Sequence, residues 1–332
     1  MHRIHGVPVP PAERTAWVLD AVWPETASMV AAMHGSDDQL LAPGLLGARP
    51  ARYAWPGAVV HHAPLATLVR HATMRRFAGA SGAKRQQADL AQDRRVARAL
   101  APVIDWRARH LVIAQPWLPW LDEIGALGGR SFDVVMQRYP LGEIHQLLDA
   151  AAAELGASPT IVDFRADPVL VEREARLLAR ARRVFTPHHG IAALFGERAV
   201  RLAWHRPTAP ARRGGTRTAF LGPTIARQRP DIAARLAKEL PEPLIVFGKN
   251  HEPGFWRDVR IERRRWDAHW LDHIGTILHP ATATAQPRRL LEALSAGVVV
   301  VSTAASGLEP ADYTALSESA DLRRSRSAPV SG

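Results

Sequence analysis

A glutamate set among apolar helical residues needs a chemical reason, and Glu292 in PRRLLEALSA (Pro287–Ala296) is such a residue. A carboxylate accepts two hydroxyl hydrogen bonds at once. The plainer reading is a helix-surface ion pair with Arg288, four residues earlier and on the same face. Arg227 and Arg229 follow an apolar run in FLGPTIARQRPD. They read either as ligands for an anion or as a solvated pair ahead of a helix. Gly248 and Lys249 follow a second apolar run, Leu244–Phe247. Asp163 in IVDFR either accepts a hydroxyl or caps a loop. The doublets His61-His62 and His188-His189 read first as loop or packing histidines. His269 and His273 would share a face if helical, a spacing that metals use. They lack a third ligand and the glutamate of a zinc-protease helix, so no metal site is expected. The Ser81–Lys84 spacing lacks its companion motifs. No nucleophile-elbow, P-loop or Asp-x-Asp pattern occurs.

These residues must be held by an alternation of strands and helices. Strands are expected at His110–Ala114, Phe132–Gln137, Thr160–Phe164, Arg183–Thr186 and Val200–Trp204. Helices are expected near Trp117–Ala126, Leu141–Leu155, Pro168–Ala181 and Gly190–Phe195. Alternation of this kind predicts a parallel sheet with helices on its faces. Before Arg109 the pattern is weaker, with short strands at Val18-Leu19 and Val59-Val60 and helices at Leu65–Phe77 and Gln86–Leu100. Arg206–Thr216 (RPTAPARRGGT) has no periodicity and reads as a linker. After it come strand Ala219–Leu221, helix Asp231–Leu240, strand Leu244–Phe247 and strand Ile277-Leu278. Helix Pro287–Ala296 then stops at Gly297, and strand Val298–Val301 leads to a small-residue turn at Ser306-Gly307. Pro at a helix start and Gly just past its end suit this reading, and four valines in a row suit a strand covered on both faces. In PWLPW (Pro116–Trp120) the tryptophans are expected to pack rather than to bind sugar.

At 332 residues the chain has room for two domains. It has no cysteine, which excludes disulfides and thiolate metal sites. Its net charge is +11, nearly all of the excess being arginine. That balance suits anionic phosphates, an anionic membrane surface or nucleic acid. The basic clusters are scattered and no aromatic-interleaved module accompanies them, so nucleic acid is the least favoured partner. No membrane span or signal-peptide core is read, and a cytoplasmic protein is expected.

The order Pro280, Glu292-Ala293-Leu294-Ser295-Ala296-Gly297, Val298–Val301 and Ser306-Gly307 resembles the carboxyl-terminal domain of retaining GT-B glycosyltransferases, the glycogen-synthase-like and mannosyltransferase-like group. The resemblance implies an α/β fold of two Rossmann-like domains, 1–206 on the acceptor side and 207–332 on the donor side, with a cleft between them and no cofactor or metal. It implies a nucleotide-sugar donor and a glycan or other hydroxyl acceptor. Glu292 would hold the ribose, Arg227 or Arg229 with Gly248-Lys249 the diphosphate, and Thr284 with Ser306-Gly307 the donor sugar. Asp163 would stand on the reacting side. The chain departs from the family in having Thr284 where a second Glu is usual, Pro223 where an Arg is usual, and no His near Asp163. The alternative is therefore a GT-B-like protein that binds nucleotide, glycan or partner without transfer; a sugar-nucleotide epimerase is a weaker third reading. The Arg/Ser/Pro-rich end from about Leu322 is expected to be disordered.

Overall fold

The computed structural model describes residues 14–45, 53–55, 60–156, 158–209 and 211–316. The expectation for the tail from Leu322 lies outside them, as does Val59 of an expected strand. Two α/β sheets are present, of seven and six strands. The chain divides into two compact units, Met1–Met136 with Pro168–Phe185, and Gln137–Asp167 with Thr186–Gly332.

In the first unit the strands are β1 (Thr15–Val18), β2 (Gln39–Ala42), β3 (Val60–His62), β4 (His110–Ala114), β5 (Ser131–Val135) and β6 (Val184–Thr186). The first sheet runs β3-β2-β1-β4-β5-β6-β7, with β7 at Ala199–Arg201. Pairing is parallel from β3 through β6. Its helices are α1 (Pro24–Met33), α2 (Pro64–Arg76), α3 (Gly82–Leu100), α4 (Leu118–Glu123) and α7 (Pro168–Arg180). Every residue of β2 and β4 is buried, as strands covered on both faces require. Trp117 is wholly buried in this core, the packing role expected of it.

The second unit carries α5 (Leu141–Leu155), α6 (Pro159–Val162), α8 (His189–Phe195) and the six-stranded sheet. Its strands are β8 (Arg217–Leu221), β9 (Leu244–Phe247), β10 (Ile261–Arg264), β11 (Ile274–His279), β12 (Val299–Ser302) and β13 (Thr314–Ala315), with helices α9 (Pro230–Ala237) and α10 (Arg288–Ser295). The order is β10-β9-β8-β11-β12-β13, parallel throughout. This is the doubly wound pattern in which strand order reverses between the first strand and the fourth, here β8 and β11. Loops diverge at that point and leave a crevice outside the carboxyl ends of the strands.

One expectation is corrected. Thr160–Phe164 is not a strand: Pro159 opens a helical turn, the Ser158 hydroxyl accepts the Thr160 N–H at 3.2 Å, and Asp163 ends it. A Ser N-cap followed by Pro at the first helical position outweighs the β-branched pair Ile161-Val162. His269 and His273 lie in a turn, not a helix, and His273 has φ 66°, so the shared face does not form.

Candidate active site

The loops that leave β8 and β9 are locked together by backbone contacts. A Cβ on Gly222 would lie 2.2 Å from the Phe247 carbonyl oxygen, and one on Gly248 would meet Gly222 and Pro223 at 3.1 Å. Gly248 also has φ 82°, a conformation that side chains resist. The Thr224 N–H donates to the Lys249 carbonyl at 2.9 Å, and the His251 N–H returns to the Thr224 carbonyl at 3.1 Å. Beneath them the Trp256 indole N–H donates to the Thr224 hydroxyl at 2.9 Å. Lys249 is exposed on this platform.

A pocket of about 230 Å³ opens at the switch point between β8 and β11. Arg227, from the loop after β8, and Thr282–Ala285, from the loop after β11, form one side. Arg138, Tyr139, Ile144, Leu148 and Phe164 complete the lining. The Arg227 guanidinium lies over the Phe164 ring at 5.4 Å, with an Asp163 oxygen 3.8 Å away. The Thr282 N–H donates to the Arg227 carbonyl at 3.0 Å and fixes the two loops to each other. Asp163 thus lies beside Arg227, and it does so from a helix end rather than a strand end.

Arg229 is occupied elsewhere. Its guanidinium pairs with Glu154 at 2.7 Å and Asp231 at 3.0 Å. Burial works against its charge, but these carboxylates outweigh burial and raise its pKa. Its backbone is left-handed at φ 55°, an unusual place for a long side chain.

Thr284 is a junction. Its N–H donates to the Ala305 carbonyl at 3.0 Å, its hydroxyl meets His279 Nε2 at 2.9 Å, and its carbonyl faces His188 Nε2 at 3.0 Å. His188 is fully buried, and its Nδ1 accepts the Ile191 N–H at 3.2 Å. With Nδ1 an acceptor, the neutral ring carries its proton on Nε2 and donates it to Thr284. Burial pushes the His188 pKa down to about 4, so the ring is uncharged at neutral pH. Tyr139 packs edge-on against it, ring centres 4.8 Å apart.

The Ser306-Gly307 turn closes on the same histidine. Ser306 is buried and its hydroxyl accepts the Leu308 N–H at 3.4 Å, while the Gly307 carbonyl accepts the His189 N–H at 3.0 Å and the Trp204 indole at 2.9 Å. Gly307 has φ 79°, and a Cβ there would lie 2.3 Å from His188 Cδ2. Gly307→Ala is therefore expected to destabilise the protein by about 2 kcal/mol, combining left-handed strain with overpacking. Urea unfolding beside Gly254→Ala, where an added Cβ meets nothing within 4 Å, checks it. Equal midpoints for the two variants would show that the turn does not need glycine.

Glu292 is not in the pocket lining. Its carboxylate accepts the Trp270 indole N–H at 3.1 Å and Arg289 at 2.7 Å, the arginine next to the one that helical spacing suggests. Arg288 lies over the Trp204 ring at 5.6 Å. Arg289 also covers Trp266 at 4.9 Å, and Trp266 stacks on Phe247 with ring centres 4.5 Å apart. Glu292 thus belongs to an aromatic and cationic cluster beside the end of β9.

Two participants escape sequence reasoning. His188 reads from sequence as a packing histidine, and only the three-dimensional meeting of the loops around 188, 284 and 307 reveals its role. Glu252 receives the Ser158 hydroxyl at 2.9 Å, the Thr160 hydroxyl and the Ala226 N–H at 3.0 Å. It ties the α6 segment to the Arg227 loop from more than ninety positions away, a distance at which local patterns carry no signal.

No protein-family model and no curated protein matches the sequence. Solved structures that the fold resembles include GT-B glycosyltransferases. One is the lipopolysaccharide outer core galactosyltransferase WaaB in its apo form, at 12% identity and TM-score 0.48 over 90% of this chain and 82% of that one. Another is the α,α-trehalose 6-phosphate synthase of Burkholderia multivorans, at 10% identity and TM-score 0.46 over 96% and 91%. A third is the sucrose-phosphate synthase of Thermosynechococcus elongatus, at 9% identity and TM-score 0.44 over 88% and 81%. Among the described residues no helix is long and apolar enough to cross a membrane.

Proposed function

We propose that the protein transfers a sugar from a nucleotide-sugar donor to a hydroxyl acceptor, with the donor's diphosphate and sugar meeting in the pocket at the β8/β11 switch point. The observation that carries this reading is the placement of Arg227 on that pocket, above the carboxyl ends of a doubly wound sheet. Crevices of this kind receive nucleotides, and a guanidinium fork matches phosphate oxygens. In the reaction the bond from the sugar's anomeric carbon to the diphosphate breaks, a bond to the acceptor oxygen forms, and the acceptor's hydroxyl proton passes to the departing diphosphate. Charge gathers on the departing diphosphate, where Arg227 stabilises it. The Thr282–Thr284 loop and the Gly307 turn, braced by His188, position the donor sugar. Lys249, exposed beside Gly248, adds a second cation for the diphosphate. Glu292 and its aromatic neighbours serve the nucleoside, and Asp163 serves the reacting side.

The motif order in the sequence, which resembles that of retaining GT-B enzymes, supports retention of configuration and a step without a metal. Titration calorimetry with UDP, GDP and ADP, followed by assays of donor hydrolysis, tests the proposal. Binding with turnover is expected for one base; failure of all three nucleoside diphosphates to bind removes the donor site, and binding without turnover leaves a binding protein.

We further infer that 1–206 and 207–332 act as the acceptor-side and donor-side domains. The support is a change of sheet between β7 and β8 across a segment with neither helix nor strand in residues 202–209 and 211–216. Among the described residues trypsin is expected to cut first at Arg213–Gly214, because the Arg213 side chain is 80% exposed and Arg206 is protected by Pro207. Mass spectrometry of the first fragments checks this, and an initial cut within Pro168–Arg180 would move the boundary.

A further inference from the structure

Helix α2 is built inside out. Its inward face carries Ala66, Thr67 and Arg70, all buried, so no large apolar side chain points into the core. The Thr67 hydroxyl donates to the Ala63 carbonyl at 2.9 Å and accepts the Gly44 N–H at 3.0 Å. Arg70 pairs with Asp20 at 3.1 Å, Asp93 at 3.4 Å and Asp89 at 4.0 Å. The outward face carries Leu65, Leu68 and Val69, which are 79%, 56% and 39% exposed. They stand at positions i, i+3 and i+4, so they form one stripe. Ala72, Arg75 and Arg76 continue it toward the helix end, all exposed. A helix on a soluble surface normally turns its leucines inward. Here ion pairs hold the polar side in and leave the apolar side out.

Along the sequence the charge beside the stripe is positive, while the carboxylates packed against α2, Asp20, Asp89 and Asp93, are directed at Arg70 on its other side. Between Asp38 and Asp89 the sequence contains no carboxylate. Arg75 and Arg76 are exposed at the end of α2, and exposed Lys84 follows at the start of α3. Leucines flanked by arginines match a surface that is hydrocarbon below and anionic above.

We propose that α2 is a docking face for an anionic lipid bilayer. The thirteen-residue helix lies flat at the interface. Leu65, Leu68 and Val69 enter the acyl boundary while Arg75, Arg76 and Lys84 meet headgroup phosphates. Bare phosphate chains would reward the arginines but not the leucines, which separates this surface from a nucleic-acid site. The inference is independent of the transfer reaction proposed above.

Vesicle co-sedimentation of the full chain tests it. Binding is expected to phosphatidylcholine vesicles containing phosphatidylglycerol, not to phosphatidylcholine alone, and to fall steeply when the salt concentration is raised. Leu65→Ser with Leu68→Ser should weaken binding roughly tenfold or more. Arg75→Ser with Arg76→Ser should weaken it on the order of tenfold. Val169→Ser, also at an exposed position, should leave it unchanged. The replaced side chains are exposed, and circular dichroism melting checks that the variants fold. The composition and salt dependence of the native chain stands without any variant. The proposal is overturned by equal binding to both vesicle types or by no effect of the leucine pair. It is equally overturned if a labelled oligonucleotide binds and vesicles do not, or if the leucine substitutions abolish a concentration-dependent dimer instead.

Discussion

Replacing Arg227 with alanine is expected to weaken nucleoside diphosphate binding by about 10- to 100-fold, the equivalent of about 1.5–3 kcal/mol for a hydrogen bond to a charged group. Binding of the bare nucleoside should be unaffected, because only the phosphates meet the guanidinium. The side chain lies over Phe164, 3.8 Å from Asp163, and its loop is pinned by the Thr282 N–H. That support holds the guanidinium in place before the ligand arrives, so little ordering cost offsets its contribution. Arg227→Lys keeps a charge but loses the planar fork, and should recover only part of the affinity. Arg229→Ala is a poor substitute for this test. Arg229 braces Glu154 and Asp231, and alanine at its left-handed backbone would disturb the loop itself. Calorimetric titration with nucleoside and nucleoside diphosphate side by side decides the matter. Equal losses for both ligands would mean that Arg227 shapes the pocket rather than contacting phosphate.

The parts of the fold that are legible in the sequence are those whose physics is local. The valines of β12 mark a strand that is buried from Val300 onward, and Gly297 at φ 71° stops α10 where the sequence suggests. Pro230 opens α9 for the same reason that Pro287 precedes α10. β10 is not legible. Its sequence IERR is mostly polar because it is an edge strand, so alternation gives no hydrophobic signal. The four-residue strand β2 is too short to stand out from its apolar surroundings. Helix α2 is legible as a helix, but its burial is not, because ion pairs from α3 and the loop after β1 turn Arg70 inward. In the site, Arg227 and Thr284 stand out because they follow strand ends, where parallel sheets concentrate chemistry. His188 and Glu252 act through partners far away in sequence, and only the folded chain assembles them.

Acid should destabilise this protein well before its carboxylates protonate. His188 and His279 are buried at the loop junction, and burial lowers the pKa of each from 6.5 to about 4. The unfolded chain takes up a proton at each site as pH falls through 6.5, while the folded protein refuses it until about pH 4. Stability from these groups is therefore fully present above pH 6.5 and is lost as pH falls toward 4. Each unit of separation is worth about 1.4 kcal/mol, so lowering the pH from about 7 to about 5 should cost about 2 kcal/mol per histidine. His145 shifts downward as well, chiefly through burial, and adds to the same trend. Ordinary carboxylates titrate mostly below this window. Urea unfolding at about pH 7 and about pH 5 measures the loss. The double variant His188→Gln with His279→Gln should flatten the dependence whatever its effect at neutral pH, since glutamine does not titrate. A native protein that is equally stable at both values would mean that the rings accept protons where they stand. The Thr284 loop would then have to open to water, and the pocket it lines would not be preformed as the proposed function requires.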